Sequence, residues 1–292
     1  MTNKPERKAP KRAAAKQTAK KQAGAKEPGE KQTGVKQSEI KQTETKQTGE
    51  RINRYLAQCG ICSRREADKL VAHGRVQING EVISQLGTRV QPNDLVLVDN
   101  KPVAANEEQI YILYNKPRGL LCSRRDDKGR PLIYQHLDIP ANVQSVGRLD
   151  MDSEGLLLLT SNGAMAQTLI DPQAKIERKY KVKITGSLSM ESMEQLRNGG
   201  IDLGRGEKSD PWEMSVDTEG GHSWITVTIK RGRWREIRRT LDAVGHLVRR
   251  LIRLRYGPIK LEEGMPIGSW RNLTSKEVAA LKRLHKASQE ET

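Results

Sequence analysis

The side chains best placed for chemistry are two carboxylates, Asp150 and Asp152, in the run Gly147-Arg-Leu-Asp-Met-Asp-Ser-Glu-Gly155. They stand just ahead of Leu156-Leu-Leu-Leu159, which with Gly155 and Thr160 reads as a buried strand closed by an Asn162-Gly163 turn. Arg148, Asp150, Asp152 and Glu154 then gather at the mouth of that strand. Two carboxylates ~5–9.5 Å apart can break and remake a glycosidic bond. Glycosyl-bond chemistry is therefore allowed here, although each aspartate alone also suits a turn or a cap. Cys59-Gly-Ile-Cys62 is a second candidate. Zinc wants four ligands, and the chain offers only Cys122 as a further cysteine, with His73 the nearest histidine. A redox pair would open a helix after a strand, whereas this pair bridges one helix end and the next cap. Packing is the expected role, and no metal site is expected. Gly204-Arg-Gly-Glu-Lys-Ser209 imitates a phosphate loop, but Glu207 separates the glycine from the lysine and the spacing fails. With no dinucleotide fingerprint or metalloprotease motif either, no cofactor is expected.

Cations crowd two places. Lys230, Arg231, Arg233, Arg235, Arg238 and Arg239 surround Trp234. Ile237, Leu241 and Val244 then mark a helix that Gly245 ends. In the strand expected over residues 247–256, period two puts Arg249, Leu251, Arg253 and Arg255 on one face. Arginines on a half-buried strand need anions, either RNA phosphates or a buried carboxylate. Further strands are expected over 109–114, before a turn at 115–119, over 176–182 centred on Tyr180, and over 224–230 with Ile225, Val227 and Ile229 on one face. Thr274-Ser-Lys-Glu277 is a capping box opening a last helix with Val278, Leu281 and Leu284.

The other cation cluster lies in a smaller unit, about residues 50–105. Ile52, Tyr55 and Leu56 have helical spacing, and Gly60 can stop that helix. Ser63-Arg-Arg-Glu66 is a second capping box, opening a helix that buries Ala67, Leu70 and Val71 and ends at Gly74. Asn79-Gly80 between two short apolar runs signals a hairpin, with short strands at 88–90 and 95–98 beyond it. Arg51, Arg54, Arg64, Arg65, Lys69 and Arg75 sit on the helical half. Six cations in so short a span point to contact with an RNA backbone.

The length of 292 residues suits two domains and an appendage, and the net charge of +16 suits a polyanionic partner. Residues 1–49 hold 11 Lys and 2 Arg against 5 Glu, with lysine at every fifth position from Lys11 to Lys46. A five-residue step advances ~140° around a helix, so the lysines share no face. With almost no apolar anchors, this stretch is expected to be a disordered basic tail that attracts polyanions. No apolar run approaches the ~18 residues of a membrane span, and no secretory signal opens the chain. Three cysteines form no closed disulfide framework, so a reducing, cytoplasmic compartment is expected. A monomer is the default.

Three stretches of the first unit, Arg51-Ile-Asn-Arg-Tyr-Leu-Ala, Cys62-Ser-Arg-Arg-Glu-Ala-Asp and Gly74-Arg-Val-Gln-Ile-Asn-Gly80, resemble the alpha-L RNA-binding domain. In the second unit, Gly147-Arg-Leu-Asp150 with Gly155-Leu-Leu-Leu-Leu-Thr160 looks like the catalytic motif of pseudouridine synthases. The match extends to Tyr111-Ile-Leu-Tyr-Asn-Lys-Pro-Arg-Gly119, Glu177-Arg-Lys-Tyr180, Arg235-Glu-Ile-Arg-Arg239 and Arg250-Leu-Ile-Arg-Leu-Arg-Tyr-Gly257. The chain thus resembles the branch of that family acting on ribosomal RNA, and the last two motifs lean towards the large-subunit subgroup. Met151-Asp-Ser153 departs slightly from the family's run.

The resemblance implies an α+β protein: a basic tail (1–49), a small alpha-L domain (50–106), and a catalytic domain (107–288) with a mostly antiparallel mixed sheet flanked by helices. It implies cofactor-free isomerisation of a uridine, in a hairpin of ribosomal RNA, to its C-glycoside. Small-subunit RNA, or RNA binding without catalysis, are the alternatives. By position, Asp150 is the catalytic carboxylate, attacking C1′ or taking a proton from C2′. Arg253 is the expected cation against Asp150, Tyr180 stacks on the uracil, Arg148 holds the backbone or the gap left by the flipped nucleotide, and Leu251 joins these three in binding the substrate. The 230–239 segment and the first domain would hold the surrounding RNA.

Overall fold

The computed structural model describes residues 49–104, 108–219 and 222–290. The lysine-rich stretch 1–48, expected to be disordered, lies outside these described residues.

The small unit begins with β1 (Glu50–Arg51), α1 (Ile52–Gln58) and α2 (Arg64–Ala72). Glu66 N donates to Ser63 Oγ at 3.3 Å while Ser63 N donates to Glu66 Oε2 at 3.0 Å, so the capping box forms as read. Next come β2 (Val76–Ile78), β3 (Glu81–Val82), β4 (Arg89–Val90), β5 (Val96–Val98) and β6 (Lys101–Val103). Asn79 and Gly80 both take positive φ, 53° and 86°, which matches the right-handed twist of the hairpin they close. Strands β3-β2-β5-β6 form one sheet and β1-β4 a second pair. Ile52, Leu56, Ala67, Val71 and Val76 make a core that excludes the cations, leaving them on the outer helix faces.

The large unit contains β7 (Tyr111–Lys116), β8 (Gln144–Ser145), β9 (Glu154–Thr160), α3 (Gly163–Ile170), β10 (Arg178–Ile184), α4 (Met190–Asn198), β11 (Glu213–Glu219), β12 (His222–Ile229), α5 (Glu236–Ala243), β13 (Val248–Tyr256), β14 (Ile259–Lys260), β15 (Trp270–Asn272) and α6 (Ser275–Glu290). The sheet runs β11-β12-β10-β13-β9-β7-β15, with β14 on β13 and β8 on β9. Its ladders are antiparallel except β9–β13, which is parallel. The architecture is therefore α+β with a mostly antiparallel mixed sheet. One face packs Ile112, Leu157, Val182 and Val227 against Ile237 and Leu241 of α5 and Leu196 of α4. On the other face, Leu113, Leu156 and Leu158 meet Met165 and Leu169 of α3 and Leu281 of α6. Covered on both sides, β7 and β9 are buried along their whole length, which is why Leu156 to Leu159 reads as an unbroken apolar run. Among the described residues no helix is long and apolar enough to cross a membrane.

Two local expectations are corrected. Asn162-Gly163 is not a simple turn: Asn162 Oδ1 accepts from Met165 N at 2.9 Å and caps α3, whose first residue is Gly163. Nor does β13 hold strict period two. Its register against β10 skips at Arg249 and at Leu254, so Ile184, Val182, Tyr180 and Arg178 face Val248, Leu251, Arg253 and Tyr256. Each bulge adds a residue that turns the next side chain to the opposite face. Leu251 and Arg253 stay on the core face; Arg249 and Arg255 leave it.

Candidate active site

The parallel seam builds the site. Gly155 at the start of β9 pairs with Arg253 of β13 and adopts φ +97°. A Cβ there would lie 2.5 Å from the Arg253 carbonyl oxygen and 2.9 Å from its nitrogen, so only glycine admits this approach. Just upstream, residues 149–153 are tied down from three directions. The buried Lys116, at the end of β7, donates from Nζ to the carbonyls of Pro117, Asp150 and Ser153 at 2.9, 3.2 and 2.9 Å. Gly119 N donates to Met151 O at 2.7 Å, and Leu149 N approaches Cys122 Sγ at 3.4 Å. From α5, Arg238 donates to Asp152 O at 3.1 Å and pairs with the Asp152 carboxylate at 3.1 Å. Burial lowers the basicity of Lys116, and the charges of Asp152, Asp150 and Glu154 oppose that loss. The loop carrying Asp150 is thus held mostly by its backbone, and the Asp150 side chain lines the cavity.

Asp150, Arg148, Leu251, Tyr180 and Arg253 all line one cavity of about 160 Å³, joined by Arg178, Arg235, Ile237 and Tyr256. Tyr180 and Arg253 are register partners on adjacent strands, and both are buried. Arg148 is exposed at the mouth and pairs with no carboxylate among the described residues. The expected ion pair is corrected: Arg235, not Arg253, approaches Asp150, with Nη1 at 3.4 Å from Oδ2 and equally 3.4 Å from Asp152 Oδ1. Arg235 reaches there because it sits at the cap of α5 with φ 48°, a left-handed conformation uncommon outside glycine. Arg253 instead donates from Nε to Leu156 O at 2.7 Å, and its Nη2 is buried without a partner. With the Asp150 side chain 33% exposed, solvent supplies much of the screening that a sealed pocket would demand from a cation.

The other expected cations divide sharply. Arg231 pairs with Asp210 at 3.5 Å, Arg233 with Glu236 at 2.8 Å and Asp210 at 3.2 Å, and Arg239 with Glu207 at 2.7 Å. The false phosphate loop 204–209 thus serves as an acceptor for Arg239. In the small unit Arg54 pairs with Glu50, and Arg75 forks onto Asp99. Arg51, Arg64, Arg65 and Lys69 are exposed and without carboxylate partners among the described residues. Arg51, Arg54 and Arg64, joined by Arg89, line a cavity of about 480 Å³. Cys59 and Cys62 are free thiols, and burial pushes Cys59 up to about 11, far from a reactive thiolate.

Two side chains, one under the Asp150 loop and one lining the cavity, escaped the sequence reading. Lys116 was hidden in what looked like a turn; its signal was a lysine closing a buried strand just before Pro117. Arg178 is buried with no acid paired to it among the described residues, donating to the carbonyls of Ile176, Lys230 and Leu169 and to the Tyr256 hydroxyl at 3.0–3.1 Å. Its signal was its place on the inward phase of Ile176, Arg178, Tyr180 and Val182.

A carboxylate, a flat aromatic ring and a buried guanidinium with one unpartnered nitrogen on one cavity, in a chain that also carries a small basic domain, suit an RNA-modifying enzyme built on an RNA-binding module. Residues 50–96 match the S4 domain, and residues 110–243 match the family described as RNA pseudouridylate synthase. An uncharacterized RNA pseudouridine synthase of Aquifex aeolicus is 39% identical over 79% of this chain and 93% of its own length. The ribosomal large subunit pseudouridine synthase B of Bacillus subtilis is 36% identical over 80% of this chain and 96% of its own length. A crystal structure of a pseudouridylate synthase superimposes with a TM-score of 0.57 at 28% identity, covering 80% of this chain and all of that one. The chain belongs to the RNA pseudouridine synthase family and is an isomerase that binds RNA.

Proposed function

We propose that the chain converts a uridine of large-subunit ribosomal RNA to pseudouridine, with Asp150 as the reacting carboxylate. The observation that carries this is the gathering of Asp150, Tyr180 and Arg253 on one cavity, in a chain whose relatives from Bacillus subtilis and Yersinia pestis are named large-subunit synthases at 36% and 37% identity. Attack at C1′ and proton removal at C2′ both require a carboxylate oxygen against the ribose, and either suits a side chain anchored through its backbone. The flipped uracil stacks on Tyr180, whose ring needs no rotamer search on a central strand. The buried Nη2 of Arg253 gains in the bound nucleotide the acceptor it lacks. Arg235, at 3.4 Å, holds Asp150 weakly enough for the sugar to displace it, and Arg148 fills the space the nucleotide leaves.

We assign residues 1–49 as a tail, 50–106 as the RNA-binding domain and 107–288 as the catalytic domain. Arg51, Arg54, Arg64, Arg65 and Lys69 take the stem of the target hairpin. We further place the enzyme in the cytoplasm, in keeping with its free thiols, and as a monomer. The test is Asp150→Asn, checked by carbodiimide mapping of both ribosomal RNAs. RNA binding should persist while conversion is lost. Normal turnover by that variant, or an unchanged large-subunit pattern after deletion of the protein, would overturn the reading.

A further inference from the structure

Helices α3 and α6 cover the second face of the large sheet over β7 and β9 and over the end of β13 with β14. Across β10 and β12 that face stays open. By alternation it carries Lys179, Lys181 and Lys183 of β10, while Tyr180 and Val182 point to the cavity side. Their cross-strand partners on β12 are Thr228, Thr226 and Trp224, and on β13 Arg255, Ile252 and Arg250. No carboxylate stands opposite any of the three lysines. Lys179 against Arg255 and Lys183 against Arg250 are like-charge pairs, which weaken a sheet. Arg250 is neutralised by Glu154 at 2.7 Å, and Arg255 approaches Glu177 at 3.9 Å. The acids Glu213 and Asp217 lie one strand further out, on the edge strand β11. Among the described residues the lysines themselves have no ion pair. A solvated face chosen for stability alone would interleave acids here; this one concentrates positive charge at the centre of the sheet.

Trp224 adds a second observation. The ammonium groups of Lys181 and Lys183 lie 5.0 and 5.6 Å from its ring centre, so one indole holds both cations down on the sheet. Lysines normally lose rotamer freedom when they grip a ligand; these have lost part of it already. Period two spaces them ~6.6–6.8 Å apart along the strand, a regular row suited to successive charges on a backbone.

We propose that this lysine–tryptophan face holds the phosphate backbone of an RNA segment outside the target hairpin. The inference rests on the proposed RNA substrate and extends it. A hairpin seated in the cavity lies on the opposite face of the sheet, so RNA reaching these lysines must come from beyond it. Recognition is by charge, without base preference.

The full-length Lys181→Gln/Lys183→Gln variant tests this on two RNAs, the shortest hairpin that is converted and protein-free large-subunit RNA. On the hairpin, kcat/KM should be unchanged. On the long RNA, binding should weaken at least fivefold, and the slope of log K against log salt should shrink by about 1.4–1.8. Trp224→Leu keeps both charges and should weaken long-RNA binding about twofold with an unchanged slope. An unaltered slope for the double variant, a face that only solvates the sheet, overturns the proposal; so does equal weakening on both RNAs, which would put the lysines at the hairpin. If the unmodified protein converts neither RNA, the functional reading fails, while the slope comparison still decides the fate of this surface.

Discussion

At the start of α1 and on α2, Arg51, Arg64, Arg65 and Lys69 project into solvent with no carboxylate partner among the described residues. In residues 231–239, Arg231, Arg233, Arg235, Arg238 and Arg239 each have one. Two cation clusters thus do different work. The first keeps its charge exposed to solvent. The second is neutralised by Asp210, Glu236, Asp150, Asp152 and Glu207, four of them from segments remote in sequence, and it fixes the geometry of the cavity. A count of cations cannot separate the two cases. What separates them is whether the fold delivers acids.

The largest break of this contrast comes at the seam holding the paired cluster's target. Gly155→Ala adds a Cβ 2.5 Å from the Arg253 carbonyl at a positive φ. It should cost at least ~3 kcal/mol in denaturant unfolding and abolish conversion, while the isolated alpha-L features of RNA binding survive in any protein that still folds. Arg238→Met comes next. That side chain is 10% exposed and holds the Asp150 loop through Asp152, so stability should fall by about 1–3 kcal/mol and kcat with it. Its salt slope for RNA should not move, because a neutralised cation releases no counterions.

Arg64→Ala with Arg65→Ala should do the reverse. The unfolding midpoint should hold within about 0.5 kcal/mol, and the salt slope should fall by about 1.4–1.8. Equal effects of the two kinds of variant on stability and slope would dissolve the contrast. The smallest effect is expected at Glu277, which Arg271 and the Thr274 cap hold down at about 2. A carboxyl lowered in the folded state contributes stability above its unfolded value and loses it as pH falls towards 2. Glu277→Gln should flatten that part of an acid-unfolding curve and leave RNA binding alone.

Much of this was legible in the residues. Both capping boxes, the Asn79-Gly80 hairpin and the alternation of Ile225, Val227 and Ile229 are local rules, and the structure obeys them. Asp150, Tyr180 and Arg253 could be brought to one place from motif resemblance alone. The bulges at Arg249 and Leu254 could not be seen, because a skipped register leaves no mark in an arginine-rich run. Asn162-Gly163 carries a turn signal and a cap signal at once, and only the packing of Met165 and Leu169 decides for a helix. The Arg235–Asp150 contact was hidden for a related reason. It hangs on a left-handed arginine, and nothing in a side chain announces that its backbone will be forced there.

The parallel pairing of β9 with β13 has a consequence in time. Asp150 and the strand that completes its surroundings are separated by about a third of the polypeptide, and the intervening β10, β11 and β12 must be laid down first. A nascent chain emerging from its own ribosome therefore carries Asp150 long before it owns a cavity around it. That cavity closes only as translation nears completion.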